Sequence, residues 1–207
     1  MTSIDTITLE VADLAAAERF YTEAFGLDAQ LRVRASQEPT TGFRGFTMSL
    51  TVSQPADVNA LIDAALQAGA TSVKPVTKSL WGYGGVVRAP DGTIWKVATS
   101  AKKDTGPATR RIDRIVLLLG VANVAASKQF YVDRGLAVGK SFGRVYVEFA
   151  GSGAVTLALY RRKALAKDAG VSPDGTGSHR IAVGGGTEPF TDPDGFAWEN
   201  TSKAALS

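Results

Sequence analysis

A chain of 207 residues carries 44% hydrophobic and 21% charged side chains, a net charge of +3 and no cysteine. This is the composition of an ordinary globular protein, long enough for one large domain or two modules of roughly 100 residues, and it excludes disulfides, thiolate nucleophiles and thiolate metal sites. No apolar run approaches the ~18 residues that cross a bilayer, and the basic residues are scattered without a nucleic-acid-binding motif, so neither a membrane nor a nucleic acid is expected as partner.

The opening MTSIDTITLEVADL alternates polar and apolar residues instead of pairing a basic region with an apolar block, so no signal peptide is expected and a cytoplasmic location is the default. Ile7, Leu9 and Val11 alternate with Thr6, Thr8 and Glu10, the pattern of a half-buried strand. Asp13 is placed to cap a helix whose stripe is Leu14, Ala17, Phe20, Tyr21 and Ala24, and Gly26 ends it. A middle strand follows in FTMSLTV. Residues 56–70 predict a second helix with Val58, Leu61, Ile62, Ala65 and Leu66 on one face. In KSLWGYGGVVRAPDG the aromatics Trp81 and Tyr83 flank Gly82, and Gly84-Gly85 marks a backbone that is mobile or closely approached. Asp91-Gly92 is a hairpin signal, followed by a short strand with Trp95 and Lys96.

The polar stretch SAKKDTGPATRR has the composition of a linker, dividing a first module (1–101) from a second (111–207) across residues 102–110. The second module then repeats the first. IDRIVLLLGVANVAASKQFYVDRGL matches IDTITLEVADLAAAERFYTEAFGL once Phe130-Tyr131 is aligned with Phe20-Tyr21, which sets the caps Asn123 and Asp13 at one offset. PDGFAWE likewise matches PDGTIWK, with Glu199 where the first copy has Lys96. Both aromatic pairs are expected in the core. The middles differ. RVYVEFAGSGAVTLALY predicts two strands about a Gly-Ser-Gly turn, GVSPDGTGS a surface loop and GGG a turn, with no second helix between HRIAVGGG and TDPDG. Each half is incomplete in a different place, and the two are expected to complete one another.

A strand opening on ID-x-I, a helix ending in FY…GL and a closing PDG-x-x-W hairpin, all present twice, resemble the glyoxalase / bleomycin-resistance / dihydroxybiphenyl-dioxygenase group, the vicinal-oxygen-chelate superfamily. The resemblance covers nearly the whole chain. It implies an α+β fold of tandem βαβββ modules, with curved mixed sheets around a cavity and helices on the outside. Enzymes of that group hold a divalent metal through a His in the first strand, a His on a middle strand and a Glu ending the last strand. The corresponding positions here are Thr6, Thr47 or Ser49, and Lys96 in the first copy. In the second they are Arg114, Arg180 (beside His179) and Glu199. Only Glu199 keeps a metal-binding type, and Lys and Arg have no lone pair to offer a metal at neutral pH, so no metal and no cofactor are expected.

A Lys96/Arg114/Glu199 ion network is expected in the metal's place, because buried cations need partners. The implied function is metal-free binding of a planar or amphipathic, antibiotic-like small molecule. The candidate ligand contacts are Trp81, Tyr83, Lys96, Arg114, Phe142, Tyr146, Glu199, Thr6 and Thr47, with Phe149 and Tyr160 beside them. The alternative is a glyoxalase-like lyase, isomerase or dioxygenase using Glu199 with His179, the only histidine. Exposed strand edges left by the unequal halves point to a homodimer.

Overall fold

The alternation read from the sequence sets which face of each strand is buried, and the computed structural model, which describes residues 3–27, 29–80, 82–151, 153–186 and 188–200, places the strands that carry it. The first half runs β1 (Ile4–Val11), α1 (Leu14–Phe25), β2 (Leu31–Ala35), β3 (Thr40–Gly42), β4 (Phe46–Thr51), α2 (Pro55–Gln67), β5 (Thr71–Ser79), β6 (Gly82–Arg88) and β7 (Ile94–Thr99). The second runs β8 (Arg114–Val121), α3 (Val124–Asp133), β9 (Ala137–Phe142), β10 (Tyr146–Ala150), β11 (Val155–Arg161), α4 (Arg162–Ala169), β12 (Gly175–Gly177), β13 (Ile181–Gly185), β14 (Phe190–Thr191) and β15 (Ala197–Glu199).

The caps behave as their chemistry dictates. Asp13 accepts from the Ala16 amide, Asn123 accepts from Ala125 and Ala126, and Gly26 closes α1 in the left-handed conformation. Val58, Leu61, Ile62 and Ala65 of α2 are buried, whereas Leu66, expected on that face, is 38% exposed.

Strand order shows how the halves complete one another. β9-β10-β11-β8-β4-β7-β6-β5 form an eight-stranded sheet. Its two units each have a strand, a helix and three strands, with first and last strands parallel (β4 with β7, β8 with β11), and they join through the antiparallel β4–β8 pair. One unit is the later part of the first copy and the other is the earlier part of the second. Strands β2-β1-β13-β15-β14 form a smaller five-stranded sheet, which the antiparallel pairing of β1 with β11 at Ile4 and Val155 joins to the large one, while β3 and β12 pair apart. The repeat thus yields one full sheet and one reduced sheet.

One face of each sheet shares a single core. Ile7, Leu9 and Val183 of the small sheet and Leu117, Leu119 and Leu157 of the large one meet there with α1, α2 and α3. Each such side chain contributes roughly 1.5–3 kcal/mol by leaving water. The repeat is visible in the packing. Tyr21 bonds Asp91 and Tyr131 bonds Asp192, both at 2.7 Å, and each ring lies 5.5 Å from its tryptophan, Trp95 or Trp198. Burial, then the neighbouring aspartate, pushes both phenols up.

The stretch 104–110 is bound along the start of α2. Gln54 accepts from Thr105 and Gly106, while Asp57, fully buried, accepts from the Thr109 amide at 2.5 Å and the Arg110 amide at 2.9 Å. Arg110, at φ 56°, reaches on to the last carbonyls of α1. GVSPDGTGS is not a free loop either, because Gly175–Gly177 pairs with Thr40–Gly42. Gly184 and Gly185 belong to β13, so only Gly186 of that run makes a turn.

Candidate functional site

The faces turned away from the shared core carry the candidate residues. On the large sheet, Trp95 is buried in the core, so its neighbour Lys96 must face the other way, and the same alternation sends Ser49, Val116, Arg114, Tyr146, Glu148 and Tyr160 to that concave face.

This concavity is not open. Helix α4 lies across it, burying Leu165, Ala166 and Ala169 against Phe43, Val86, Ile94 and Leu118. Gly120 on β8 permits the approach. A Cβ there would meet the Gly45 carbonyl at 2.7 Å and Leu165 Cδ2 at 3.3 Å. Basic side chains hold the helix down. Lys74 donates to the last-turn carbonyls of Lys167 and Asp168 at 3.0 and 2.6 Å, Lys96 pairs with the Asp168 carboxylate at 2.7 Å, and Arg162 donates to the Phe43 carbonyl at 2.8 Å. Cations at a helix C-terminus also meet the negative end of its dipole. Sequence reading missed this helix. Its signal was present in the i, i+1, i+4 spacing of Leu165, Ala166 and Ala169 before Gly170, hidden by the basic run 161–163.

Beside α4 a strip of the concave face stays accessible. Phe142, Tyr146 and Tyr160 stand opposite one another on β9, β10 and β11, with ring centroids 5.9 and 5.7 Å apart, and Phe142 is 66% exposed. One step along the strands lies a polar row. Glu148 accepts from the Tyr146 hydroxyl at 2.8 Å and from Arg114 at 2.9 Å, with Lys140 at 3.8 Å. Burial, then the Glu148 hydrogen bond, holds the Tyr146 phenol well above its ordinary value.

The small sheet is spanned by one side chain. Thr6 lies opposite Gly184, itself opposite Glu199, and Arg34 reaches across from β2. Its guanidinium takes both oxygens of Glu199, at 2.9 and 3.2 Å, and Glu10 at 2.7 Å. These hydrogen bonds, Glu199 first, raise the affinity of Arg34 for its proton.

The expected Lys96/Arg114/Glu199 network therefore does not form. Lys96 and Arg114 belong to the large sheet and Glu199 to the small one, and each has found a nearer partner in Asp168, Glu148 or Arg34. Thr47 is 4% exposed, opposite Leu118, the residue on which α4 packs. Phe149 is in the core. Tyr83 packs against the main core and donates to Asn59 of α2 at 2.9 Å, and it also borders the hollow that holds the Lys96–Asp168 pair. The glycines beside it are closely approached, since a Cβ on Gly84 would stand 2.7 Å from the Val97 carbonyl. Trp81 lies outside the described residues.

His179 is wedged between segments. Its Nδ1 faces the Arg44 carbonyl at 2.5 Å, its Nε2 the Asp194 carbonyl at 3.0 Å, and its ring stacks on Phe196 at 4.0 Å. With each ring nitrogen against a backbone carbonyl and its ring on Phe196, His179 is held by contacts other than Glu199, whose carboxylate bonds Arg34. The residues present do not fit a divalent metal. Among the described residues no three His, Asp or Glu side chains gather at one point, and the carboxylates of Glu10 and Glu199 are already taken by a guanidinium.

No family model and no curated protein matches the sequence. Solved structures do match its fold. Glyoxalase I from Zea mays superposes with a TM-score of 0.62 at 14% identity, over 96% of this chain and 91% of that one. A point variant of the same enzyme gives 0.59 at 15% identity over the same shares. At that identity the likeness is one of fold.

Proposed function

For a chain with the vicinal-oxygen-chelate fold and this concave surface, we propose binding of a planar, amphipathic small molecule without a metal, in the manner of a sequestering protein for an antibiotic-like compound. The observation that carries the reading is the aromatic row Phe142–Tyr146–Tyr160 set against the charged row Arg114–Glu148–Lys140, on the part of the large concave face that α4 leaves accessible. Rings of this kind stack a planar ligand, and Arg114 and Lys140 at the adjoining edge favour a neutral or acidic polar end.

The test is a thermal-shift and calorimetric screen of aromatic compounds, followed by Tyr146→Ala and by mass analysis of the bound compound. Stacking of this kind is worth ~1–3 kcal/mol, a loss of about 5- to 150-fold in affinity for the variant, and the compound should be recovered unaltered. Unchanged affinity in Tyr146→Ala, or recovery of a chemically altered compound, overturns the reading.

A further inference from the structure

A cavity of about 210 Å³ lies away from the aromatic strip, between the start of α1, the Pro90-Asp91 turn and two arginines, Arg44 and Arg180. Arg180 is 8% exposed at φ 56° and donates to the Ser36 carbonyl at 2.6 Å, while its Nε has no partner. Arg44 donates to the Asp91 carbonyl, and its Nη1 is buried without a partner.

Among the described residues neither guanidinium has a carboxylate within ion-pair distance. The acids that line the same cavity are committed elsewhere. Glu10 pairs with Arg34, Asp13 caps α1, and Asp91 accepts from Tyr21 and the Thr93 amide. Two like charges therefore sit close together, one of them buried, and both with unused donors. Burial weakens the hold of Arg44 on its proton; the nearby Asp91 carboxylate offsets this in part, and the proximity of Arg180 adds to it. Buried cations are costly when unpaired, and an arginine fork is shaped for a carboxylate. The opposite wall is apolar, formed by Ala16, Ala17 and Phe20.

We propose that this cavity is a binding site for a small carboxylate with a short apolar tail, its oxygens on Arg44 and Arg180 and its tail against Ala16, Ala17 and Phe20. The site is independent of the aromatic strip, and its probe, butyrate, has no ring to stack there.

The experiment follows the arginine Nε–H signals of the ¹⁵N-labelled protein while butyrate is added, in parallel with calorimetry. The Arg180 Nε–H signal should move saturably at millimolar butyrate. Loss of one charge-assisted contact, about 1.5–3 kcal/mol, should weaken binding about tenfold or more in Arg180→Gln and Arg44→Gln, whereas Arg19→Gln, exposed on α1, should bind as before. Should the two variants fail to fold, the wild-type Nε–H titration decides alone. An Arg180 signal that butyrate leaves unmoved, or that chloride or inorganic phosphate moves equally, overturns the proposal.

Discussion

The two concave faces descend from one repeated sequence pattern and are filled in different ways. The eight-stranded face is wide enough to take a helix, and α4 occupies its centre with Leu165, Ala166 and Ala169. The five-stranded face is narrow enough for one arginine to reach from β2 over two strands to Glu199 on β15. The smaller number of strands in one sheet therefore changes the scale of what can close its hollow, from a secondary-structure element to a side chain. The chemistry changes with it. The large face is closed mainly by apolar burial, and the small one by an ion cluster still open to water, with Arg34 46% and Glu199 42% exposed.

The sharpest way to break this comparison is to remove the apolar anchor of α4. Leu165 is 1% exposed, so Leu165→Ala should cost about 2–5 kcal/mol if the surroundings relax only partly, read as a fall in the urea midpoint. Hydrogen exchange separates two ways of losing it. If α4 is part of the global fold, the amides of β4 and β8 lose protection together with those of the helix. If only α4 opens early, it is a detachable cover, and the large face is a cavity with a lid.

A second prediction concerns what brings β4 and β8 side by side. The segment between β7 and β8 is tied to α2 by Asp57, which accepts from two amides and the Thr109 hydroxyl. Burial works to raise the pKa of this carboxyl, but the hydrogen bonds from Thr109 and Arg110 outweigh it and hold the group below the usual carboxylate range. The sign follows from linkage. A depressed carboxyl contributes stability that is fully present above its unfolded value, about 4, and is lost as pH falls through its folded value. Asp57→Ala should cost about 1–3 kcal/mol at neutral pH and flatten the acid limb of the stability curve. A variant that keeps the wild-type acid limb would show that the tether is not what holds the two units together.

Much of this was legible in the sequence because it rests on local signals. Asp13, Asn123 and Gly26 cap the helices they were expected to cap, and the alternation around Trp95 and Trp198 set which face Lys96 and Glu199 use. The pairing of the units was legible only as a deficit in each half, since no local signal says that β4 will meet β8. The ion partners were not legible at all. Lys96 and Asp168 are 72 residues apart and Arg34 and Glu199 are 165 apart, and one charge pattern is compatible with many long-range pairings.

The smallest effects separate the two ways of closing a hollow. Arg34→Met and Lys96→Met each remove a cation from a partly exposed ion contact, and such contacts are worth at most about 1 kcal/mol in water. Arg34 should be the larger loss, because it serves two carboxylates and grips Glu199 through both oxygens, whereas Lys96 serves one on a helix that apolar packing already holds. Both losses should shrink in molar salt, where screening acts within ~3 Å, and Arg34→Met should leave Glu10 and Glu199 to repel one another most at low salt. Urea titrations at low and high salt read the difference. A loss of several kcal/mol in Arg34→Met that salt does not reduce would mean that the arginine stem, and not its charge, keeps the small sheet closed. The two faces would then be filled by the same apolar principle at different sizes.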